Sequence, residues 1–299
     1  MWLQRKIMVR MKQDPPDETG STFLDFDALE GRKALADTVA EFLSDEVGMP
    51  QNTRLVLDGG DDDPDDSYST VAYEKGFTFL LYLERNIVGT AAFVTFFQAY
   101  IAKFASTTVT SEDFKAFFMQ YFQDQTKIGE IDWDIWYHHE GMPPVLPALD
   151  QTLATASLAL AQAWCDFDRN QHNTNTNDNN KQTSGERVAL EGWSSGQITC
   201  FLDALESKTY EDDAPRPLQV ATLTAMNAMY AFDTTKNAEI LYRYCQLAIA
   251  SEDTRILPTV IRFITSQGRM KYVRPLYKSL FKSDMGTLCF YCSRHTLNM

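Results

Sequence analysis

The sequence predicts a mostly α protein of two parts, and three observations support this class. Apolar residues recur at helical spacing along most of the chain, capping residues precede several of these runs, and Gly or Pro follows them. The 299 residues, of which 44% are hydrophobic, suffice for one or two ordinary cores. We place the domain boundary in the stretch GMPPVLPAL, which predicts domains of 1–142 and 143–299.

Three segments of the first part have clear helical signals. The run TVAYEKGFTFLLYLERNIVG is apolar on most sides and ends at Gly89. The run TVTSEDFKAFFMQYF opens with Thr110 and Asp113 in the relation of a capping box and then places phenylalanines on one stripe. The segment IDWDIWYHHEGMPP predicts a short helix that is capped by Asp132 and stopped at Gly141 and the prolines.

The second part alternates helices with turns. DQTLATASLALAQAWCDF is one amphipathic helix, and the polar run after it, about 168–187, has no apolar periodicity, so we expect a disordered Asn-rich insertion there. Successive antiparallel helices of this length predict a bundle or a solenoid of the armadillo/HEAT kind. The further helical runs lie near 195–207, 217–231, 236–250, 255–267 and 272–282.

Charge and hydrophobicity exclude several kinds of partner. The chain has 27 Lys and Arg against 41 Asp and Glu, a formal net charge of −14, and no basic stripe, so we expect no nucleic-acid partner. The longest apolar stretch, 90–105, is interrupted by Gln98 and Lys103 and is shorter than the ~20 residues that cross a bilayer. Five cysteines spread thinly over the chain favour a reducing compartment, which we take to be the cytoplasm.

The sequence gives little support to a metal or nucleotide site. Cys289, Cys292 and His295 have metal-like spacing, but a structural zinc needs four ligands and no second pair follows. The adjacent histidines of YHHEG would point about 100° apart on a helix and cannot chelate one ion together. The acidic run 58–66 lacks the spacing of a calcium loop, and phosphate-loop, dinucleotide and nucleophile-elbow motifs are absent. We therefore expect this chain to bind no metal with its own residues.

An acidic run leads into the first predicted helix and contains two tyrosines. The stretch DDDPDDSYSTVAYEKGF, 61–77, places aspartates beside Tyr68 and Tyr73. Asp and Ser at this position ordinarily cap a helix. A phenol at the edge of a cleft can instead donate a hydrogen bond to a reacting oxygen. The residues alone leave both interpretations open.

Two cations near the end of the chain suggest an anion site. Gly268 breaks a helix, and an extended backbone after it would project Arg269 and Lys271 to the same side. The alternative is a cationic helix end that faces an acidic chain.

The order of several segments resembles one enzyme family. DPDDSYSTVAYEKGF, TSEDFKAFFMQYF, IDWDIW, GMPP and TSQGRMKYVRPLYKSLF together resemble the C-terminal portion of the leukotriene-A(4) hydrolase and aminopeptidase B branch of the M1 zinc aminopeptidases. The resemblance covers about 22–165 and 195–283. It implies that 1–142 is the helical half of a thermolysin-like peptidase lobe and that 143–299 is a helical C-terminal domain.

The resemblance also implies roles for five residues. Tyr73 would donate a hydrogen bond to the oxyanion that forms during peptide hydrolysis. Tyr68 would be the second phenol of the same pocket, and Asp65 would line the substrate channel. Arg269 and Lys271 would receive a carboxylate, either the C-terminus of a short peptide or the acid of a fatty-acid epoxide.

The sequence departs from the family at the metal site. The family needs H-E-x-x-H and a further glutamate to bind zinc, and this chain has neither motif. The segment WLQRKI resembles the stretch that directly follows that glutamate, so we expect an incomplete gene model or a splice product. We predict the C-terminal portion of a zinc-dependent metallo-aminopeptidase, with lipid-epoxide hydrolysis as a second activity, that is inactive as the isolated chain. The alternative is a non-enzymatic helical interaction or peptide-binding protein derived from such an enzyme.

Overall fold

The computed structural model describes residues 1–12, 20–57, 69–173, 189–210 and 216–285. Across these ranges the chain forms helices and turns and no strand, which confirms the mostly α class. The chain divides into two compact units, Met1–Gln151 and Thr152–Met299. The division lies shortly after the proline-marked stretch GMPPVLPAL.

The first unit contains the three predicted helices and others that the sequence analysis did not single out. The predicted helix end at Gly89 is confirmed, and this glycine has a φ of 86°, which favours glycine over other residues. The helices described in this unit are α1 (Trp2–Lys12), α2 (Gly20–Leu43), α3 (Thr70–Tyr82), α4 (Thr90–Lys103), α5 (Ser111–Tyr121) and α6 (Trp133–His138).

Side-chain caps fix the beginnings of α5 and α6 as predicted. The Thr110 hydroxyl accepts a hydrogen bond from the Asp113 amide at 3.1 Å, and the Asp113 carboxylate accepts one from the Thr110 amide at 3.0 Å. The Thr110 side-chain and backbone hydrogen bonds hold the pKa of Asp113 below its ordinary value. Asp132 accepts a hydrogen bond from the Ile135 amide at 3.1 Å. Both caps satisfy amide groups that have no partner inside their own helix.

Aromatic rings fill the core of the first unit. Phe96 of α4 is fully buried. Its ring lies 5.1 Å from Phe118 of α5 and 5.4 Å from Phe122, the C-cap residue of α5, and both belong to the predicted stripe of phenylalanines. On the other side of the core, Phe79 of α3 packs 4.8 Å from Trp136 of α6. These edge and tilted contacts add to the large apolar area that each ring buries.

A buried ion pair joins α1 to α3 across the surface of α2. The Arg5 Nη2 donates to Glu74 Oε1 at 3.0 Å, and Arg5 Nε donates to Asp27 Oδ2 at 2.6 Å. The guanidinium also lies 4.2 Å from the centre of the Phe77 ring. Gly31 of α2 faces this pair so closely that a Cβ atom there would lie 2.1 Å from Glu74 Oε2. Only glycine leaves room for the pair at this position.

A π-helical turn, Leu83–Val88, follows α3. It directs two neighbouring charged residues towards different partners. Glu84 is buried and accepts a hydrogen bond from Trp2 Nε1 at 2.6 Å. Arg85 pairs with Asp25, a buried carboxylate of α2. The turn therefore connects the end of α3 to both α1 and α2.

The second unit is built from the helices that the sequence predicted. Their buried faces meet in one core, in which α8 contributes the fully buried Phe201, Leu202 and Leu205. The helices described in this unit are α7 (Thr152–Asn173), α8 (Ser195–Tyr210), α9 (Val220–Tyr230), α10 (Ala238–Ala250), α11 (Leu257–Ser266) and α12 (Met270–Lys282).

The predicted start of the disordered insertion is wrong, because α7 continues through residues 168–173. The physical reason is Asp168, whose buried carboxylate accepts hydrogen bonds from the Gln219 amide at 2.8 Å and the Thr222 hydroxyl at 2.6 Å. These bonds attach the polar end of α7 to the beginning of α9. The remainder of the predicted insertion, 174–187, lies outside the described residues.

The structure also bears on two predictions made from composition, the lack of a membrane-spanning segment and the state of the cysteines. In the part of the chain that the structure describes, no helix combines the length and the apolar character needed to cross a membrane. Cys165, Cys200 and Cys245 are free thiols. Cys289 and Cys292 lie outside the described residues.

Gly31→Ala tests the close approach of α2 to the buried ion pair. We expect it to destabilise the first unit by about 2–4 kcal/mol, because the new methyl group must displace Glu74 or Arg5 and separate two buried charges. Native-state hydrogen exchange of the α3 amides measures the loss. Gly129→Ala is the matched control, since a Cβ there meets no atom within 4 Å. Equal α3 protection in the two variants would contradict the proposed role of Gly31.

Candidate functional site

Tyr73 lies in the first turn of α3 and faces outward. The helix is capped by Ser69, whose hydroxyl accepts a hydrogen bond from the Val71 amide at 3.2 Å, so the capping interpretation holds for this serine. Tyr73 is 44% exposed, whereas the next residues, Glu74 and Lys75, are buried. The phenol is therefore on the accessible side of the helix. The other two candidates of this region, Asp65 and Tyr68, lie outside the described residues.

Lys75 is fully buried, and its ammonium group is bound by three backbone carbonyl groups. The Nζ atom donates to the oxygens of Thr53 at 2.7 Å, His139 at 2.7 Å and Gly141 at 2.9 Å. We call these three groups the carbonyl cradle. Burial lowers the pKa of Lys75 from 10.5 to about 8, although the charge of Glu140 acts in the opposite direction.

A fourth hydrogen bond, between two segments of the carbonyl cradle, stabilises it. The Thr53 hydroxyl accepts from the Gly141 amide at 2.7 Å, which joins the short 3₁₀ helix Pro50–Thr53 to the turn after α6. Gly141 has a φ of 85°, so its backbone is in a region that favours glycine. The sequence analysis gave Lys75 no role. The available signal was a lone lysine inside an apolar helical run, where a charge must find buried partners.

Arg269 and Lys271 lie at the beginning of α12, and the extended backbone predicted after Gly268 is confirmed for Arg269 and wrong for Lys271. Arg269 is the N-cap residue, with a φ of −70° and a ψ of 112°, and the helix starts at the next residue, so Lys271 is helical. The reason is the amphipathic character of α12, which favours helix from its first turn. Its buried face consists of Tyr272, Leu276 and Leu280.

The two cations nevertheless converge, because both lie against the ring of Tyr272. The Arg269 Cζ atom is 5.5 Å and the Lys271 Nζ atom 5.6 Å from the ring centre. Both side chains are exposed. The structure therefore brings Arg269 and Lys271 together in the second unit, while Tyr73 belongs to the first. An exposed pair of cations on one ring can bind an anion such as a carboxylate.

Glu239 of α10 binds Lys271, one of these two cations. Its Oε1 accepts hydrogen bonds from Lys271 Nζ at 2.6 Å and from the Tyr272 hydroxyl at 2.7 Å, and its Oε2 accepts one from Arg243 at 2.9 Å. Burial by itself would raise the pKa of Glu239, but these three hydrogen bonds outweigh it and lower the pKa to about 2. Sequence reasoning missed Glu239, although Glu239 and Arg243 have the i, i+4 spacing of a helical ion pair.

The described residues do not form a metal centre. Within the ranges that the structure covers, no three His, Cys, Asp or Glu side chains are arranged to hold a metal ion. The predicted candidates Cys289, Cys292 and His295 lie outside those ranges. In the second unit, a mostly apolar cavity of about 400 Å³ is lined by residues such as Leu190 and Met229 and by none of the site candidates.

Comparison with known families and proteins gives a consistent result. The family model described as "Leukotriene A4 hydrolase, C-terminal" matches residues 193–297, and that of the "Peptidase family M1 domain" matches residues 16–136. Leukotriene A-4 hydrolase of Xenopus laevis is 33% identical over 285 residues, which are 95% of this chain and 42% of that protein. Leucine aminopeptidase 2 of Neurospora crassa is 31% identical over 290 residues, 95% of this chain and 39% of that protein.

A solved structure has the same fold. The native leukotriene A4 hydrolase from Saccharomyces cerevisiae superimposes with a TM-score of 0.81 at 24% identity, covering 97% of this chain and 45% of that chain. The chain thus spans about two fifths of the length of the curated relatives that it matches.

The depressed pKa of Glu239 predicts an acid-labile contact between α10 and α12. The ionised carboxylate stabilises the fold above its ordinary pKa of 4.5, and this contribution is lost as the pH falls towards about 2. Allowing for solvent screening, we expect a loss of about 1 kcal/mol over this window.

Hydrogen exchange of the α10 and α12 amides measures this loss. Glu239→Gln should remove most of the acid dependence, whereas Glu191→Gln, at an exposed glutamate of the same unit, should keep it. If Glu239→Gln loses protection with the wild-type acid dependence, the contact is not what titrates.

Proposed function

The chain belongs to the leukotriene A4 hydrolase branch of peptidase family M1, and on this premise we propose that it is the C-terminal portion of a zinc-dependent aminopeptidase. The complete enzyme removes N-terminal residues from peptides. The observation that carries this proposal is the exposure of Tyr73 on a helix whose neighbouring residues are buried and paired. A fixed, accessible phenol can donate a hydrogen bond to the oxyanion of a peptide bond under attack.

This chain's own residues do not fit a zinc site. The sequence contains no H-E-x-x-H motif, and the described residues hold no group of three metal-binding side chains. The zinc ligands therefore belong to an upstream part of the complete enzyme. Without them the isolated chain does not hydrolyse peptides. The lack of metal ligands also favours the alternative function, a non-enzymatic peptide-binding or interaction protein derived from the enzyme.

An exposed apolar face on α1 supports packing of the first unit against further protein. Leu3, Ile7 and Met11 follow the i, i+4, i+8 spacing of one helix face and are 43%, 46% and 76% exposed. The opposite face of α1 carries Trp2 and Arg5, which are buried in the first unit. Contiguous apolar surface of this kind marks a contact site. In the complete enzyme, we propose, the upstream half of the peptidase lobe covers it.

The cationic pair, Arg269 and Lys271, supports substrates that carry a free carboxylate. Arg269 and Lys271 bind the C-terminal carboxylate of a short peptide. Arg269 carries the larger share, because Lys271 is already paired with Glu239 and because a guanidinium binds a carboxylate through two parallel hydrogen bonds. A fatty-acid epoxide offers the same carboxylate, and the name of the Xenopus relative supports epoxide hydrolysis as a second activity.

Two residues outside the described ranges complete the proposed site. We propose, from the resemblance to the family, that Tyr68 acts as the second phenol of the pocket and Asp65 as a residue of the substrate channel. The free thiols of the second unit support a reducing compartment, the cytoplasm.

Tyr73→Phe tests the catalytic proposal in a completed enzyme, in which this chain is joined to the upstream part of Xenopus leukotriene A-4 hydrolase. Losing one oxyanion donor should lower kcat by ~10²–10³ and leave KM nearly unchanged. Hydrolysis of an aminoacyl anilide measures both constants. The chain alone is the control and should hold no zinc and show no turnover. Equal kcat values for Tyr73→Phe and the parent would remove Tyr73 from the mechanism.

Arg269→Ala tests the carboxylate site in the same enzyme. A charge-assisted hydrogen bond contributes roughly 1.5–3 kcal/mol, so kcat/KM for peptides with a free C-terminus should fall about ten- to a hundredfold. Peptides amidated at the C-terminus offer no carboxylate and should change far less. Lys271→Ala should act in the same direction but more weakly. An equal loss on free-acid and amidated peptides would show that Arg269 has a structural role only.

A further inference from the structure

The hydrogen bonds of Lys75 indicate a function for this residue that neither its burial nor the resemblance of the chain to its family explains. We propose that Lys75 is the positioning residue for Tyr73, because its ammonium group fixes the rotation of the first turn of α3 and thereby the direction of the phenol. The inference rests on the proposed function for what Tyr73 does in the enzyme. The positioning itself is a property of this chain and can be measured without turnover.

Helix geometry connects the two residues. Successive residues of an α-helix are rotated by about 100°, so Tyr73 and Lys75 are separated by about 200° and point to nearly opposite sides. Lys75 is fully buried on one side and Tyr73 is 44% exposed on the other. A contact that locks the inward direction of Lys75 must therefore also lock the outward direction of Tyr73.

The carbonyl cradle is suited to lock that direction. An ammonium group has three N–H donors in a tetrahedral arrangement, and the acceptors of Thr53, His139 and Gly141 satisfy all three at 2.7–2.9 Å. The acceptors come from two chain segments that are far from α3 in sequence. A shift or rotation of the turn lengthens at least one of these bonds to a fully buried lysine.

The neighbouring anchor of α3 acts from a different side. Glu74 is bound to Arg5 of α1 at 3.0 Å and is rotated by about 100° from Tyr73. It attaches α3 to α1, whereas Lys75 attaches it to the turn after α6 and to the Pro50–Thr53 helix. Of these two anchors, Lys75 is the one nearly opposite the phenol, so it has the stronger control over the rotation of the phenol.

Other charged groups lie near the cradle, and the titration of Lys75 must be distinguished from theirs. Glu140 lies in the turn after α6 and is paired with Arg54 at 2.8 Å, and His139 contributes its carbonyl group. Lys75→Met distinguishes Lys75 from these neighbours, because it removes only the Lys75 ammonium group. The pKa of Lys75 is lowered to about 8. Deprotonation there removes one of the three donors and relaxes the cradle.

The test is carbon NMR of the full 299-residue chain with tyrosine labelled at Cζ, in which the Tyr73 signal is assigned by its absence in Tyr73→Phe. In the wild type, the Tyr73 signal should shift between pH 6.5 and 9 with a midpoint near pH 8, the value to which burial lowers the Lys75 pKa. In Lys75→Met, which keeps the length of the side chain but has no donor, this step should be lost. At pH 7 its signal should already differ from that of the wild type.

Thr78→Val is the matched control on the same helix. Its hydroxyl is buried and donates to the Glu74 carbonyl within α3 at 2.8 Å, so the variant removes a buried hydrogen bond without touching the cradle. It should keep the step near pH 8. Lys75→Arg should fail to restore the wild-type signal, because a planar guanidinium cannot reproduce three tetrahedral donors.

Two outcomes would overturn the inference. The first is a folded Lys75→Met variant whose Tyr73 signal keeps the wild-type position and the wild-type step. The second applies even if that variant does not fold: the wild-type Tyr73 signal does not move while the Lys75 ammonium nitrogen, observed by ¹⁵N labelling, titrates. Neither outcome depends on turnover, so failure of the catalytic proposal in the completed enzyme would be seen separately.

Discussion

The binding of the buried Lys75 ammonium group by the carbonyl cradle is the interaction on which the structure of the first unit depends. Its partners are neutral carbonyl groups, so the positive charge is solvated by backbone dipoles and is not cancelled by a carboxylate. Removing it would leave three carbonyl groups without their donor, and an unpaired polar group in a protein interior is costly. The cradle therefore joins α3 to the 3₁₀ helix Pro50–Thr53 and to the turn after α6. On our proposal, it also holds the exposed phenol of Tyr73, in the first turn of α3, in one direction.

The second unit uses charge in a different way. Lys271, Glu239, Arg243 and Asp203 form a chain of alternating signs that links α12 to α10 and α8. Within this series of ion pairs, each charged group is paired with a group of opposite charge. Arg269 lies outside this series of ion pairs, against the ring of Tyr272, and has no carboxylate partner within the described ranges. For the carboxylate site that we propose, this difference predicts unequal roles for the two residues, because Lys271 is compensated by Glu239 and Arg269 is not.

The sequence predicted the local features well and the long-range ones poorly. The caps at Thr110 and Asp132 involve residues three positions apart, and the helix end at Gly89 depends on that residue alone. Lys75, in contrast, is bound by carbonyl groups 22, 64 and 66 positions away, and backbone acceptors have no signature in sequence. The same limit explains the wrong end assigned to α7, where Asp168 binds groups 51 and 54 positions away. Of the candidate site, Tyr73, Arg269 and Lys271 lie within the described residues and Asp65 and Tyr68 lie outside them, and the roles of all five stay predictions.

The π-helical turn Leu83–Val88 contains an i to i+5 hydrogen bond, from the Gly89 amide to the Glu84 carbonyl at 2.8 Å. Such a turn accommodates one residue more than an α-helical turn. Deleting a residue there would restore the α-helical repeat and rotate everything before it by about 100° relative to everything after it. Glu84 and Arg85 would then leave Trp2 and Asp25, their partners on two different helices. During evolution this segment can therefore exchange side chains more readily than it can gain or lose a residue, although helix ends are usually where chain length varies most freely.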